Sequence, residues 1–212
     1  IKEYGVMTPA IVRPRKDSGY EIVAGHRRCH ASQRAGVETM PCIVRDMDDD
    51  TAIILMVDSN CQREHILPSE KAKAYQMKLE AVKRKAGRPA KNNSAQVGPK
   101  LTAAEKIAEN SPDSKSQIKR FIRLTELIPE LLDMVDNSVL KEAGKLQMAL
   151  RPAVELSYLS EAEQTALLEV MEGEIRTPSH AQAIKMRSFS EHGKLNPDVI
   201  LSICLLYTSD AA

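Results

Sequence analysis

Aromatic residues and paired cysteines are scarce in this sequence of 212 residues. Tryptophan is absent and aromatic residues make up 3% of the chain, which disfavours a platform of stacked rings for single-stranded nucleic acid. The four cysteines, Cys29, Cys42, Cys61 and Cys204, include no CxxC pair. We therefore expect neither a disulfide framework nor a zinc site, and scattered free thiols of this kind fit a reducing, cytoplasmic compartment.

Long apolar runs are also missing. No stretch reaches the roughly 18 apolar residues that a membrane span needs, so no membrane segment is expected. The chain opens on Ile1 rather than Met and carries Lys2 and Glu3 where a signal peptide would have its apolar core. We interpret this start as that of a fragment without a signal peptide.

The net charge is only +1, but the charged residues are distributed very unevenly along the chain. Residues 1–61 carry 8 Lys and Arg against 9 Asp and Glu, residues 62–125 carry 15 against 6, and residues 126–212 carry 7 against 14. A basic block between two blocks that are not basic indicates a protein that binds a polyanion. The alternative is a lysine-rich helix surface that is simply solvated.

The first third of the chain alternates between strand and helix signals. A helix is predicted from His26 to Ala35, where Gly36 ends it, and another from Asp50 to about Ser59, where acidic residues favour the helix start. Runs rich in β-branched residues predict three strands at residues 10–13, 19–24 and 41–45. This order predicts a small α/β unit.

From Pro68 onward only helices are predicted. Ser69 is expected to cap a helix that runs to about Arg84, and residues 85–100 form a polar, breaker-rich linker. Its Gly87-Arg88-Pro89 step resembles the core of an AT-hook, but a flexible basic linker is the better interpretation. Further helices are predicted near Thr102, Ser114, Pro129, Pro152, Ser160 and Pro178, and we expect their apolar stripes to be core rather than partner grooves.

Two of these helices have the spacing of a helix-turn-helix. Thr102 and Glu105 form a capping box, and Ser114 or Ser116 caps the next helix. In that second helix, spacing places Ile118, Phe121, Ile122 and Thr125 on a buried face. The opposite face carries side chains that suit bases and phosphates, so we expect DNA contacts from Ser114, Lys115, Ser116, Gln117, Lys119, Arg120 and Arg123.

The predicted turn between these helices has one irregular residue. Ala108 lies ten residues before Ile118, as the helix-turn-helix pattern requires, but Pro112 stands where that pattern usually has a glycine. Proline cannot adopt a positive φ, so we expect a locally different turn. The alternative is an ordinary antiparallel helix pair with a basic exposed face.

A second anion site is predicted at Gly25-His26-Arg27-Arg28. These residues lie where a strand gives way to a helix, and a helix N-terminus favours an anion. Two adjacent arginines add charge and a fork geometry that suits phosphate. The alternative is a pair of surface arginines at a helix start.

Three segments resemble the conserved boxes of the ParB family of chromosome and plasmid partition proteins. The central one is Gly19–Arg28, followed by Ala31, Ala35 and Gly36. The upstream one is Thr8–Pro14, and the downstream one is Asn60–Glu64, followed by Pro68 and residues 70–72. The predicted helix-turn-helix follows these boxes in the order that the family has.

The resemblance implies a fold and a mechanism. The fold class is α+β, with a small N-terminal α/β nucleotide-binding domain over residues 1–66, followed by an all-α helix-turn-helix domain over residues 67–135 and further helices in a support region over residues 136–200. Residues 201–212 are expected to be a non-native or disordered tail. CTP with Mg²⁺ is the implied cofactor, and with palindromic double-stranded DNA it would close a homodimeric clamp that slides along the DNA. A ParA-type ATPase and a nucleoid location are the implied partner and place.

The resemblance also implies a residue set for the nucleotide. The implied nucleotide-binding residues are Thr8, Gly25, His26, Arg27, Arg28, Asn60, Gln62 and Arg63. Asn60 would also hold the metal. Two departures matter, since His26 and Ser59 stand where the family usually has Glu, and a hard Mg²⁺ prefers carboxylate ligands. Hydrolysis is therefore expected to be weak at most, unless Asp58 compensates.

Two alternatives to a partition protein remain open from the sequence, an enzyme and a transcriptional regulator. An enzyme would use Cys29 or Cys61 as nucleophile, or the Asp48–Asp50 run as metal ligands, but no histidine stands at a convincing position for either cysteine and the aspartates read as a helix start. A transcriptional regulator of a mobile element without nucleotide hydrolysis is the other alternative, and nucleotide titration separates it from the clamp.

Overall fold

The computed structural model describes residues 1, 3–61, 66–87 and 102–206. Within this part of the chain it has three β-strands and ten α-helices. The strands are β1 Ala10–Pro14, β2 Tyr20–Ala24 and β3 Cys42–Val44. The helices are α1 His26–Arg34, α2 Asp49–Cys61, α3 Pro68–Ala86, α4 Ala103–Glu109, α5 Lys115–Arg123, α6 Pro129–Leu140, α7 Leu150–Leu156, α8 Glu161–Glu174, α9 His180–Glu191 and α10 Pro197–Leu206. The predicted α+β fold class is confirmed.

The chain divides into two compact units. The N-terminal unit consists of Ile1–Glu64 and Met77–Pro112, and the C-terminal unit of His65–Gln76 and Asp113–Ala212. Helix α3 therefore gives its first half to the C-terminal unit and its second half to the N-terminal unit. None of the described helices combines the length and the apolarity needed to cross a membrane.

A three-stranded sheet with the order β2-β1-β3 organises the N-terminal unit. Strand β1 pairs antiparallel with β2, with Val12 opposite Ile22, and parallel with β3, with Val12 opposite Val44. Ala10, Val12 and Val23 are buried, so the central strand and the end of β2 carry the apolar side chains that hold α1 and α2. All three predicted strands are confirmed.

The acidic run before α2 starts that helix, as predicted. Asp48 Oδ1 accepts a hydrogen bond of 2.7 Å from the Thr51 N–H and so satisfies a donor that the helix start leaves unpaired. The Asp49 Oδ1 lies 2.6 Å from the Arg13 Nη1, and the Asp50 Oδ1 lies 2.7 Å from the Arg84 Nε. Each of the three aspartates thus has a structural partner.

The N-terminus of α3 differs from the prediction. The helix begins at Pro68, so Ser69 lies inside the first turn and is not its cap. The Ser69 N–H donates to Asp136 Oδ1 over 2.9 Å, and its hydroxyl binds the other oxygen of the same carboxylate. A carboxylate 67 residues away therefore satisfies the Ser69 N–H. Pro68, which lacks an N–H, fits the first helical position.

The C-terminal unit is an all-helical bundle whose core includes Leu131, Leu156, Leu167 and Met186. Residues 201–206 of the expected tail continue its last helix, α10, so this part of the tail is not disordered. Ile203 is buried, because apolar side chains of α10 pack inward. The Gln182 side-chain amide donates to the carbonyls of Ile203 and Cys204 at 2.9 and 3.2 Å. Residues 207–212 lie outside the described part of the chain.

Candidate functional site

A cavity of about 210 Å³ opens where β2 ends and α1 begins, beside the last turns of α2. It lies within the N-terminal unit. Its lining residues come from three short segments of the chain, and they are Val23, Ala24, Gly25, His26, Arg27, Arg28, Met56, Ser59 and Asn60.

Gly25 shapes the entrance to this cavity. It is the residue before α1 and has φ 113°, a left-handed conformation that favours glycine. A Cβ atom at this position would lie 2.8 Å from the Cβ of Ala10, which is fully buried. Because Gly25 has no side chain, α1 has no side-chain cap, and the N–H groups of its first turn remain available to a ligand.

The two arginines after Gly25 have different surroundings. The Arg28 Nη1 donates to the carbonyls of Thr8 and Pro9, the latter over 2.8 Å. Arg27 is exposed and lines the cavity, so its guanidinium faces solvent there. Thr8 thus reaches the site through its backbone carbonyl, which orients Arg28, and not by lining the cavity itself.

The end of α2 forms the opposite wall. Met56 and Asn60 lie four residues apart, so they occupy one face of the helix, and Ser59 lies beside them. The preceding residue, Asp58, lies outside the lining and accepts a charge-assisted hydrogen bond from Lys78 of α3. Lys78 is only 2% exposed, so this carboxylate is committed to a buried ammonium group and not to the cavity.

The electrostatics of the cavity suit an anion. Its lining includes Arg27 and Arg28 and the N-terminus of α1, and none of its nine residues is a carboxylate. A phosphate group fits this donor set. A hard divalent cation such as Mg²⁺ prefers oxygen ligands and finds there only the neutral side-chain oxygens of Asn60 and Ser59 among the nine lining residues, so most of its coordination would come from phosphate oxygens and water. In the described ranges, no three His, Cys, Asp or Glu side chains converge as a metal site.

The cavity brings together five of the eight predicted nucleotide-binding residues. Thr8 lies behind Arg28, and Gln62 and Arg63 lie outside the described residues. The sequence interpretation missed Val23, Ala24 and Met56 as lining residues. Met56 could have been found from the helical period, since it lies one turn before Asn60.

A second candidate site is the exposed face of α5 in the C-terminal unit. Ser114 and Gln117 form a capping box at its start: the Gln117 N–H donates to Ser114 Oγ over 3.3 Å, and the Ser114 N–H donates to Gln117 Oε1 over 2.9 Å. The predicted cap is confirmed. Both side chains were predicted as DNA contacts, and in the capping box each already has a local hydrogen-bond partner.

Helix α5 has one buried face and one basic face. Ile118 and Phe121 are buried, as their spacing predicts, while Ser116, Lys119 and Arg120 are exposed. Lys115 is half-buried. Cations and a hydroxyl on one open helix face can bind phosphates and base edges.

The start of α5 is held by the first half of α3. Asp113 accepts hydrogen bonds from Lys71 Nζ over 2.9 Å and from the Tyr75 hydroxyl over 2.6 Å. The ring centres of Tyr75 and Phe121 lie 6.1 Å apart, and the Lys71 Nζ lies 5.0 Å from the Phe121 ring centre. None of residues 110–114 has a positive φ, so the turn around Pro112 does without the left-handed residue that the usual pattern contains, as expected.

The last residue of α5 has a different role from its neighbours. Arg123 is half-buried, and its guanidinium donates to Ser157 and lies over the ring of Tyr158. The predicted DNA-contact set therefore divides into an exposed group at Ser116, Lys119 and Arg120 and side chains that already have protein partners.

Comparison with known proteins identifies the N-terminal part of the chain. The model of the ParB N-terminal domain matches residues 1–61, which include β1, β2, β3, α1 and α2. That match covers the whole cavity described above.

Curated relatives extend the similarity beyond this domain. The chain is 30% identical over 174 residues to a probable chromosome 1-partitioning protein ParB of Deinococcus radiodurans, covering 82% of this chain and 54% of that protein. It is 35% identical over 136 residues to the chromosome-partitioning protein Spo0J of Thermus thermophilus, covering 64% and 43%. The chain thus spans about half the length of these relatives or less.

A solved structure matches most of the chain. The C-terminally truncated chromosome-partitioning protein ParB from Caulobacter crescentus, complexed to the centromeric parS site, is similar with a TM-score of 0.52 and 25% identity, over 90% of this chain and 84% of that one. The matches to the domain model, the curated relatives and this structure agree with one another. The chain belongs to the ParB family of partition proteins.

Proposed function

We propose that this protein binds a palindromic, parS-like site in double-stranded DNA and acts in chromosome or plasmid partition. The observation that carries the proposal is the open basic face of α5, with Ser116, Lys119 and Arg120 exposed above the buried Ile118 and Phe121. The similarity to a ParB protein complexed to parS over 90% of this chain supports it. A homodimer is proposed because a palindrome presents two equivalent half-sites.

Arg120 is the residue of this face that we assign to base reading. It is exposed, it lies in the middle of α5, and no described residue holds its guanidinium. An arginine can donate two hydrogen bonds to O6 and N7 of guanine, and such a pair contributes about 1–3 kcal/mol of discrimination against the wrong base. Lys119 and Ser116 would hold neighbouring phosphates.

The cavity at Gly25 is proposed as the binding site for CTP. The first turn of α1 and Arg27 would bind the phosphates, with Arg28 oriented by the Thr8 and Pro9 carbonyls beside them. Mg²⁺, when bound with the nucleotide, would neutralise phosphate charge, and Asn60 is the lining residue that would hold it. The absence of a carboxylate from the nine lining residues supports slow hydrolysis at most, because no carboxylate stands there to help hold Mg²⁺ and His26 is the one lining side chain that could act as a base.

The DNA assignment is tested by titrating the protein with a parS duplex and with a scrambled duplex of the same composition. Wild type should prefer parS, and Arg120→Ala should lose about 1–3 kcal/mol of that preference, at one base position. Arg151→Ala is the matched control, since Arg151 is exposed on α7 and its loss changes the charge equally. Equal binding of wild type to both duplexes would refute sequence-specific reading.

The nucleotide assignment is tested by isothermal titration with CTP, with and without Mg²⁺ and parS, with ATP, GTP and UTP as controls. Heat with CTP alone among the four would support the proposed site. Binding of parS without any heat from CTP would favour the second candidate, a ParB-like transcriptional regulator of a mobile element without nucleotide hydrolysis. The cavity's lack of carboxylates is what keeps that candidate open. A ParA-type ATPase partner and a nucleoid location belong to the partition proposal and are tested only after it.

A further inference from the structure

The guanidinium of Arg123 is bound on one edge by the loop after α7. Its Nη2 donates to the Ser157 carbonyl over 2.6 Å, and its Nε donates to Ser157 Oγ over 3.1 Å. Ser157 is only 1% exposed, so these hydrogen bonds lie away from bulk water. The Nε and Nη2 edge is one of the two edges that a guanidinium presents as a fork, and here the hydroxyl and the backbone carbonyl of Ser157 occupy it.

The face of the same guanidinium lies over an aromatic ring. The Arg123 Cζ is 4.1 Å from the centre of the Tyr158 ring, and the Cζ of Arg187 is 3.7 Å from the same centre. Arg187 forms two salt bridges: its Nη1 lies 3.0 Å from Glu155 Oε2, and its Nε lies 2.8 Å from Glu191 Oε1. These two carboxylates offset the repulsion between the two guanidinium groups, so one ring can bind both cations.

These contacts join the end of α5 to α7 and α9. We propose that Arg123 is a positioning residue that sets the orientation of α5 through Tyr158 and Arg187, and is not itself a DNA contact. The inference rests on the proposed function, because it concerns the helix assigned to reading DNA. It differs from the sequence-based expectation that Arg123 belongs to the DNA-binding face.

Orientation matters here because base recognition tolerates little displacement. A binding constellation has to be held to about 0.5 Å and 10–20° of its productive geometry. The start of α5 is fixed by Asp113 and the capping box, and its middle by the buried Ile118 and Phe121. The end of α5 is held by Arg123, whose guanidinium lies over the Tyr158 ring together with that of Arg187.

Substitution of Arg123 by Lys separates the two roles. Lysine keeps the charge for a phosphate but offers neither the fork nor the planar face. We expect Arg123→Lys to weaken binding to the parS duplex roughly tenfold and to leave binding to a scrambled duplex unchanged. We expect Arg123→Gln to leave the slope of log affinity against log salt concentration unchanged, whereas loss of a phosphate contact would lower it by about 0.9.

Tyr158 provides a test that changes no charge. Tyr158→Phe keeps the ring and should bind parS like wild type, while Tyr158→Leu removes the ring and should reproduce the loss seen in Arg123→Lys. The double variant Arg123→Lys/Tyr158→Leu should bind no worse than the weaker single variant, because both changes break one contact. Circular dichroism melts check folding, and Arg187→Lys replaces Tyr158→Leu if that variant does not fold.

Two results would overturn the inference alone: parS affinity of Arg123→Lys equal to that of wild type, or a salt slope lowered by about 0.9 in Arg123→Gln. A wild-type protein that does not distinguish parS from the scrambled duplex would overturn the proposed function, and the inference with it.

Discussion

Replacement of Gly25 by Ala should damage both the stability of the N-terminal unit and its anion cavity. Gly25 has φ 113°, and an added Cβ would lie 2.8 Å from the Ala10 Cβ, 3.1 Å from the Ala10 Cα and 3.2 Å from Arg28 Nη2. Two of these atoms belong to the fully buried Ala10 on the central strand and cannot move without shifting β1. The third belongs to an arginine of the cavity, so relief of the overlap would also displace that guanidinium.

The magnitude follows from two separate effects. A left-handed conformation costs an L-residue about 1–2 kcal/mol, and overpacking in a well-packed region costs about 1–3 kcal/mol. We therefore expect Gly25→Ala to lower the free energy of unfolding by about 2–5 kcal/mol, a large part of the 5–15 kcal/mol typical of a domain. Gly36→Ala is a matched control after the other end of α1, since Gly36 has φ 73° and an added Cβ would meet no atom within 4 Å.

The assay is urea denaturation followed by circular dichroism, with hydrogen exchange of β1 and α1 to locate the effect. Gly36→Ala should lose only the conformational part, about 1 kcal/mol once the lower entropy of its unfolded chain is counted, and should retain CTP binding. Gly25→Ala should lose more stability and should also lose CTP binding. Equal stabilities of the two variants would refute the packing argument, and full CTP binding by Gly25→Ala would refute the assignment of the cavity.

Two further predictions concern α2. Asp58→Asn should destabilise more than Lys78→Met, because it leaves an ammonium that is 2% exposed without its partner, whereas the Asp58 side chain is 26% exposed and reaches water. A buried charge without its partner costs about 3–5 kcal/mol, and denaturation of both variants with equal losses would contradict this asymmetry. Asp48→Asn should destabilise α2 at pH 7, because hydrogen bonds from the side chain and backbone of Thr51 hold the pKa of Asp48 below its usual value of 3.8. That contribution is present above 3.8 and is lost as the pH falls through the lowered pKa, so wild type and variant should converge at low pH in thermal melts, and a constant difference would contradict it.

Local signals in the sequence predicted most of the secondary structure. The capping box predicted at Thr102, the cap predicted at Ser114 or Ser116 and the glycine after α1 depend on residues close in the chain, so they can be recognised without knowledge of the fold. The apolar spacing of Ile118 and Phe121 is equally local. For the same reason the wall formed by Met56 and Asn60 was within reach of the sequence, since both belong to one helix face.

The features that the sequence did not reveal depend on residues far apart in the chain. Ser69 was expected to cap α3, but its N–H and its hydroxyl bind Asp136, and the sequence around Ser69 does not indicate that partner. Ser59 stands where the family usually has Glu, and the sequence alone leaves open whether Asp58 supplies the missing carboxylate. The answer lies in Lys78, 20 residues away, which binds that carboxylate. A tertiary partner decided the role of the side chain in both cases.

Tertiary partners also distinguish the arginines within each of the two sites. Arg27 and Arg28 are adjacent in sequence, as Arg120 and Arg123 are adjacent on one helix, and composition gives all four the same meaning. Arg28 binds the carbonyls of Thr8 and Pro9, and Arg123 binds Ser157 and the Tyr158 ring, whereas Arg27 and Arg120 are exposed. On the proposed function, the exposed member of each pair supplies attraction to the polyanion and the bound member supplies geometry. Lysine should therefore substitute well at Arg27, where charge suffices, and poorly at Arg123, where the fork and the planar face are needed.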